Sequence, residues 1–133
     1  MADHDQEDLL RVAHAAVQLA YAPYSNVRVG AALVGADGQV YTGCNVENAS
    51  FGLTICAERA AVFKAVAAGE RRFRAIAIAT DRPQALMPCG ACRQVLAEFG
   101  TDLEVLTQGQ KSAVASAKLS ELLPRAFSPD DLR

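Results

Sequence analysis

The 133-residue sequence lacks the features that mark several classes of protein. It has no tryptophan, only two histidines (His4 and His14), and no run that approaches the ~18 apolar residues of a membrane-spanning helix. The acidic first residues, from Asp3 to Asp8, do not follow the basic and then apolar order of a secretory signal. We therefore expect a soluble, cytoplasmic protein without a membrane partner.

An excess of positive charge is also missing. Thirteen Lys and Arg against 15 Asp and Glu give a formal net charge of −2. Proteins that bind nucleic acid usually present a basic surface to the phosphates. The balance of charge therefore argues against a nucleic acid polymer as partner.

The remaining composition is that of an ordinary globular protein. Hydrophobic residues make up 51% of the chain and charged residues 21%. A chain of this length suits one compact domain, and we find neither a linker nor an internal repeat. We therefore expect a single domain over residues 1–133.

Hydrophobic periodicity predicts an α/β arrangement. We predict helices at residues 6–21, 56–68, 90–99 and 120–123, and strands at 28–34, 39–44, 73–79, 103–107 and 111–117. Asp37-Gly38 is typical of a hairpin turn between the first two strands. The strand–helix–strand–helix–strand series that follows favours parallel strands with helices packed on the faces of the sheet.

Four cysteines need an explanation other than disulfides, because a cytoplasmic protein is kept reduced. Cys56 opens one predicted helix, and Cys89 and Cys92 lie at the start of the next. A Cys-x-x-Cys pair serves either redox chemistry or metal binding. Three thiolates with one open position form a catalytic zinc site, whereas structural zinc takes four ligands. Cys44 could be counted as a fourth ligand, but it has no partner at short spacing, and we interpret it as a buried thiol.

Glu58 separates the metal interpretation from the redox one. A carboxylate two residues after a ligand is of no use to a structural site, but a catalytic site needs one to move protons. Taken alone, Glu58 would be read as a solvated residue in the first turn of a helix. The series Cys56-Ala57-Glu58 followed by Pro88-Cys89-x-x-Cys92 is the signature of zinc deaminases.

The chain resembles the small, homotetrameric class of cytidine deaminases along almost its whole length. The resemblance rests on Tyr21–Ser25 (YAPYS), Val29–Leu33 (VGAAL), Gly43–Ala49 (GCNVENA), Ile55–Arg59 (ICAER), Pro88–Gln94 (PCGACRQ), Glu121–Pro124 (ELLP) and Ala126–Leu132 (AFSPDDL). It implies an α/β fold in which a mixed five-stranded sheet lies between helices. It also implies hydrolytic deamination of cytidine and deoxycytidine in pyrimidine salvage.

The resemblance also implies a role for each site residue. Cys56, Cys89 and Cys92 would hold one zinc ion per chain, Glu58 would be the proton shuttle, and Arg59 would approach the zinc thiolates. The substrate contacts within the chain would be Asn45 and Glu47, at the ribose 3′-hydroxyl, together with Val27 and Ala57. Ala49 and Phe51 would reach the active site of a neighbouring subunit, and Phe127 would reach that of another. On spacing alone, Asn45 and Glu47 could equally cap their loop. Likewise, Arg59 could simply be an exposed helix residue.

Two positions differ from the usual pattern of this class. Val27 stands where a phenylalanine usually encloses the base, which removes ring stacking of ~1 kcal/mol. Phe51 stands where a tyrosine is frequent, which removes one hydroxyl near the sugar. Three alternatives remain. The first is a deaminase with another substrate, namely an aminonucleoside antibiotic, a nucleotide or a free base. The second is a non-catalytic zinc module, and the third is a polynucleotide-editing enzyme, for which a basic channel is lacking.

Overall fold

The computed structural model describes residues 5–133 and is built on a mixed five-stranded sheet. The strands are β1 (Val29–Gly35), β2 (Val40–Cys44), β3 (Phe73–Thr80), β4 (Glu104–Gln108) and β5 (Ala115–Lys118), in the spatial order β2-β1-β3-β4-β5. Residues 1–4, which include His4 and part of the acidic start, lie outside the described residues. The expected α/β fold with a mixed five-stranded sheet is confirmed.

The direction of the strands decides where the site forms. Strand β1 is antiparallel to both β2 and β3, and β3 is parallel to β4. Consequently β2, β3 and β4 all run the same way, as the strand–helix series predicts, although β1 lies between β2 and β3. The short β5 is antiparallel to β4 at the edge of the sheet.

Helices cover both faces of this sheet. Helix α1 (Gln6–Val17) packs on one face, and helices α2 (Ala57–Ala67), α3 (Gly90–Ala97) and α4 (Leu119–Leu122) lie on the other. Side chains alternate along β1, so that Leu33 joins the core under α2 while Val34 joins the core under α1. No helix of residues 5–133 has the length and apolar character that crossing a membrane requires.

Two sequence-based boundaries and the expected burial of one cysteine need correction. Helix α1 ends at Val17 instead of continuing to residue 21, because the next residues form tighter i→i−3 hydrogen bonds, such as that from Leu19 N–H to the Ala16 carbonyl. Strand β5 begins at Ala115 instead of residue 111, because Lys111 donates its N–H to the carbonyl of Pro83. Cys44 is half-buried instead of buried, since β2 is an edge strand whose residues are all partly exposed.

Gly43 on β2 allows helix α2 to lie unusually close to the sheet. A Cβ atom at this position would be 2.4 Å from the carbonyl oxygen of Ala57 and 2.5 Å from the backbone nitrogen of Ala61. Both are backbone atoms of α2, and they cannot rotate away as a side chain can. The glycine therefore fixes the distance between the sheet and the helix that carries Cys56 and Glu58.

We expect Gly43→Ala to lower the free energy of unfolding by about 1–3 kcal/mol or more, because the added methyl group must push α2 off the sheet. Denaturant unfolding followed by circular dichroism measures the loss. Gly52→Ala is a matched control, because a Cβ at Gly52 has no atom within 4 Å. Equal stability of the two variants would contradict this account of Gly43.

Candidate active site and metal centre

Three cysteines lie close together at the carboxyl ends of β2 and β3, because two helices begin there. Helix α2 follows β2 and helix α3 follows β3, and these two strands run in the same direction. The N-termini of both helices therefore lie at the carboxyl ends of the strands, where open α/β sheets form their sites. Cys56 is the N-cap residue of α2 and Cys89 is the N-cap residue of α3, with Cys92 one turn further on.

The three sulfur atoms are spaced as ligands of one metal ion. The Sγ atoms of Cys56 and Cys89 are 3.8 Å apart, and those of Cys89 and Cys92 are 3.5 Å apart. All three lie within 4.8 Å of one another. Tetrahedral zinc with Zn–S bonds of ~2.3 Å separates its sulfur ligands by roughly 3.8 Å. The donor set therefore fits zinc, and three ligands leave one of four positions open.

The pKa values of two of the cysteine thiols also indicate that the cluster binds a cation. Hydrogen bonds from Cys92 and from the Arg59 guanidinium lower the pKa of the Cys56 thiol to about 5. The neighbouring Cys56 sulfur, together with burial, raises the pKa of Cys92 instead. Sulfur atoms this close cannot all be anionic without a compensating charge. A divalent ion supplies that charge and allows all three thiols to ionise.

Arg59 lies beside the cluster rather than in solvent. Its Nη2 atom donates to the Sγ atom of Cys56 over 3.4 Å, and the side chain is partly buried. A guanidinium in this position withdraws charge from the thiolate and so modifies the metal centre. The N-terminal ends of α2 and α3 add partial positive charge on the same side.

Glu58 is a buried carboxyl next to the cluster. Its residue is 5% exposed, and it lies on the first turn of α2 after Cys56. Burial, with a smaller contribution from the negative charge of Cys56, raises the pKa of the Glu58 carboxyl to about 7. A carboxyl poised near neutral pH can both accept and deliver a proton.

A cavity of about 240 Å³ opens directly on these groups. Its lining residues are Ser25, Val27, Val29, Asn45, Thr54, Cys56, Ala57, Glu58, Ile78, Leu86, Met87 and Cys89. The cavity thus brings together the expected proton shuttle, two of the expected ligands, and the expected contacts Val27, Asn45 and Ala57. Apolar walls with a few polar groups at one end are typical of a small-molecule site.

A second cavity of about 380 Å³ shares Ser25 and Thr54 with the first, and Glu47, Tyr24 and Phe51 complete its lining. The rings of Tyr24 and Phe51 meet edge to face, with centroids 5.8 Å apart. Glu47 therefore lies in a neighbouring compartment, separated from the thiols. The two cavities are thus adjacent, and Glu58 lines the first while Glu47 lines the second.

The Asn45 side chain holds the backbone of a neighbouring segment, a structural role of the kind that its spacing left open. Its Oδ1 atom accepts the Val29 N–H over 2.8 Å, and its Nδ2 atom donates to the Val27 carbonyl over 2.8 Å. Asn45 is buried, and it therefore fixes the segment that forms one wall of the first cavity. One N–H and one oxygen lone pair of the amide remain for a ligand.

Two of the expected substrate contacts lie apart from both cavities within the described chain. Ala49 is exposed on the loop before the 3₁₀ turn at Phe51–Leu53. Phe127 is also exposed, and its backbone carbonyl accepts a hydrogen bond of 2.9 Å from Gln94 Nε2. The expectation that they reach a neighbouring subunit's site stays a prediction.

Sequence reasoning did not assign a role to Arg93, which holds the turn that carries Cys89. Its Nε atom donates to the Pro88 carbonyl and its Nη1 atom donates to the Leu122 carbonyl, each over 2.7 Å. Arg93 thereby ties the start of α3 to the end of α4. The motif PCGACRQ contains this residue, but spacing alone cannot show that its partner lies 29 residues further on.

Three thiols that fit zinc, an open fourth position and a buried glutamate define the class of zinc-dependent deaminases. Comparison with known proteins leads to the same class. Residues 3–107 match the family model described as the cytidine and deoxycytidylate deaminase zinc-binding region. The chain belongs to this family.

Several relatives are similar over nearly their whole length. The chain is 46% identical to the cytidine deaminase of Sporosarcina psychrophila over 129 residues, which cover 96% of this chain and 95% of the relative. Among solved structures, the cytidine deaminase of Burkholderia pseudomallei is 50% identical, with a TM-score of 0.89 over 93% of this chain and 100% of that one. The cytidine deaminase of Mycobacterium tuberculosis is 45% identical, with a TM-score of 0.84 over 94% and 98%.

Proposed function

We propose that the chain hydrolyses the 4-amino group of cytidine and deoxycytidine, which gives uridine and deoxyuridine with release of ammonia. The observation that carries the proposal is the buried Glu58 carboxyl beside three thiols, in a cavity adjacent to a second cavity that is lined by the Glu47 carboxylate. The first cavity suits a base and the second a sugar. The named activity of the similar proteins supports this substrate class.

Cys56, Cys89 and Cys92 would hold the zinc ion, which would make water a better nucleophile towards C4 of the base. Glu58 accepts the proton that the attacking water releases and delivers it to ring N3. It then accepts the hydroxyl proton and delivers it to the departing amine, so that ammonia leaves. One carboxyl performs these transfers because each delivers a proton that it has just received.

The first cavity keeps the base in place and excludes water. Val27, Val29 and Ile78 supply apolar walls, and Ala57 packs at the buried end. Val27 offers less area than an aromatic ring, so that the base is enclosed by aliphatic contacts alone on this side. Removing water from the cavity strengthens the interaction of Glu58 with the ring.

The second cavity selects the sugar. The Glu47 carboxylate can accept a further hydrogen bond from a sugar hydroxyl group and would repel a phosphate, and Asn45, which lines the adjacent first cavity, keeps one N–H as a donor. Burial around Glu47 is slight, and hydrogen bonds from Ser25 and from backbone N–H groups lower the pKa of its carboxyl. Glu47 is therefore charged at neutral pH and favours a nucleoside over a nucleotide.

Assembly, location and pathway complete the proposal. Residues 1–133 form one deaminase domain that acts in pyrimidine salvage in the cytoplasm, as a homotetramer with shared active sites. Exposed apolar side chains support an assembly, since Phe51 is 72% and Phe127 58% exposed in the single chain. A groove between α2 and α3, lined in part by Phe63 and Phe99, adds a further apolar face.

The decisive experiment follows the ultraviolet absorbance of cytidine, deoxycytidine, cytidine monophosphate and cytosine with purified protein, and assays zinc in the same sample. We expect about one zinc per chain and turnover of both nucleosides. We expect at least about 10-fold lower kcat/KM for the monophosphate and the free base, because the first is repelled and the second lacks the sugar. If only the nucleotide or only the free base were turned over, that compound would replace the nucleosides as the assigned substrate. Absence of both zinc and turnover would overturn the proposal.

A further inference from the structure

The Glu47 carboxylate is held by one short turn of the chain. Oxygen Oε1 accepts the backbone N–H groups of Tyr24 and Ser25 over 2.9 and 3.1 Å. Oxygen Oε2 accepts the hydroxyl group of Ser25. Three donors from adjacent residues thus fix the orientation of this carboxylate.

The Ser25 hydroxyl makes a second hydrogen bond, which leads into the other cavity. Its Oγ atom accepts the backbone N–H of Val27 over 3.0 Å. The chain can turn back in this way because Asn26 adopts a left-handed conformation with φ of 65°, which asparagine tolerates well. Ser25 itself lines both cavities and lies at their boundary.

Val27 is consequently held from both sides of its backbone. Ser25 binds its N–H, and the Nδ2 atom of Asn45 binds its carbonyl over 2.8 Å. The Val27 backbone, in the wall of the base cavity, is therefore connected directly to Asn45 and, through the Ser25 hydroxyl, to Glu47. A hydroxyl that is both donor and acceptor is required at position 25, because its neighbours are an acceptor and a donor.

We propose that the Ser25 hydroxyl is a positioning group that joins sugar recognition to base recognition, by orienting Glu47 and fixing Val27 at the same time. The inference rests on the proposed function, because it takes the substrate to be a nucleoside that spans both cavities. Ser25 does not touch the reacting atoms, and it acts through Glu47 and Val27. Its loss weakens binding far more than the chemical step.

Ser25→Ala is expected to raise KM for cytidine about 10-fold while kcat changes less than about 3-fold, because a hydrogen bond to a charged group is lost. On 2′,3′-dideoxycytidine, which lacks the hydroxyl groups that Glu47 accepts, the rise in KM should be clearly smaller. Ser25→Thr, which keeps a hydroxyl, should restore most of the binding. Ser120→Ala removes an exposed hydroxyl on α4 and should behave as the wild type.

The pH dependence supplies a readout that a merely structural role would not move. Ser25 is the largest cause of the lowered pKa of Glu47. In Ser25→Ala that pKa rises, so that the increase of KM on the acid side begins at a higher pH than in the wild type. The carbon-13 shift of the Glu47 carboxyl, titrated in both proteins, measures the same change without turnover.

The outcomes separate the two proposals. A wild-type protein that leaves cytidine unchanged overturns the proposed function, and an unaltered Glu47 titration in Ser25→Ala then overturns the link between Ser25 and Glu47 as well. A wild type that is active, with a Ser25→Ala variant whose KM is unchanged, overturns the inference alone. An equal rise of KM on cytidine and on 2′,3′-dideoxycytidine also overturns it, because Ser25 would then not act through Glu47.

Discussion

Glu58→Gln is expected to lower kcat for cytidine by about 10²–10⁴-fold while zinc content stays at that of the wild type. The amide has almost the same shape as the carboxyl, so that it fills the same buried place on the first turn of α2. It cannot accept the proton of the attacking water. No other carboxyl group lines the first cavity of the described chain, so no neighbour replaces it.

Steady-state kinetics with metal analysis of the same preparation measures this effect. Glu7→Gln makes the same chemical change at an exposed position on the first turn of α1 and serves as the control. We expect that control to keep wild-type kcat. Near-normal turnover in Glu58→Gln would refute the assignment of Glu58 as proton shuttle, whereas loss of zinc would show that the residue supports the metal centre instead.

Replacement of the buried Cys92 by serine is expected to remove most of the zinc and with it the activity. A hydroxyl group is a much poorer ligand for zinc than a thiolate, and two remaining thiols cannot complete the site. Cys92 is fully buried on α3, so that no other side chain can move in to replace its sulfur. We expect at least about a 100-fold lower affinity for zinc.

Cys44→Ser provides the matched control, because Cys44 is a half-buried thiol outside the three-sulfur cluster. It should bind one zinc and turn over cytidine as the wild type does. Competition with a chromophoric chelator gives the zinc affinity of both variants. If Cys44→Ser lost zinc and Cys92→Ser kept it, the assignment of the ligand set would be wrong.

The chemistry of the site is readable from the sequence where it depends on local spacing. Cys89 and Cys92 share one helical turn, and Glu58 follows Cys56 on another, so both pairs can be placed from periodicity alone. The short apolar run FRAIAIA at residues 73–79 likewise predicts a central strand that is buried on both faces. What brings the two turns together is the shared direction of β2 and β3, which the strand–helix series also predicts.

The features that the sequence did not predict depend on contacts between segments that are distant in the chain. Ser25 forms a hydrogen bond with Glu47, from which it is separated by 22 positions in the sequence. Asn45 and Val29, which also form a hydrogen bond, are 16 positions apart. Neither pair has a periodic signal, because the contacts form only after the loop at the edge of the sheet has closed. The half-buried state of Cys44 follows from the position of β2 at the edge, which spacing does not reveal.

The two helix N-termini that supply the sulfur ligands have a consequence for folding. Cys56 and Cys89 are 33 residues apart in the chain and belong to different helices. A metal ion between them acts as a reversible crosslink that closes this long loop, in the manner of a disulfide but without oxidation. A zinc ion bound to these thiols would therefore stabilise the packing of α2 against α3 in addition to supplying the chemistry. Availability of zinc in the cell would then govern how much folded enzyme persists as well as how much is active.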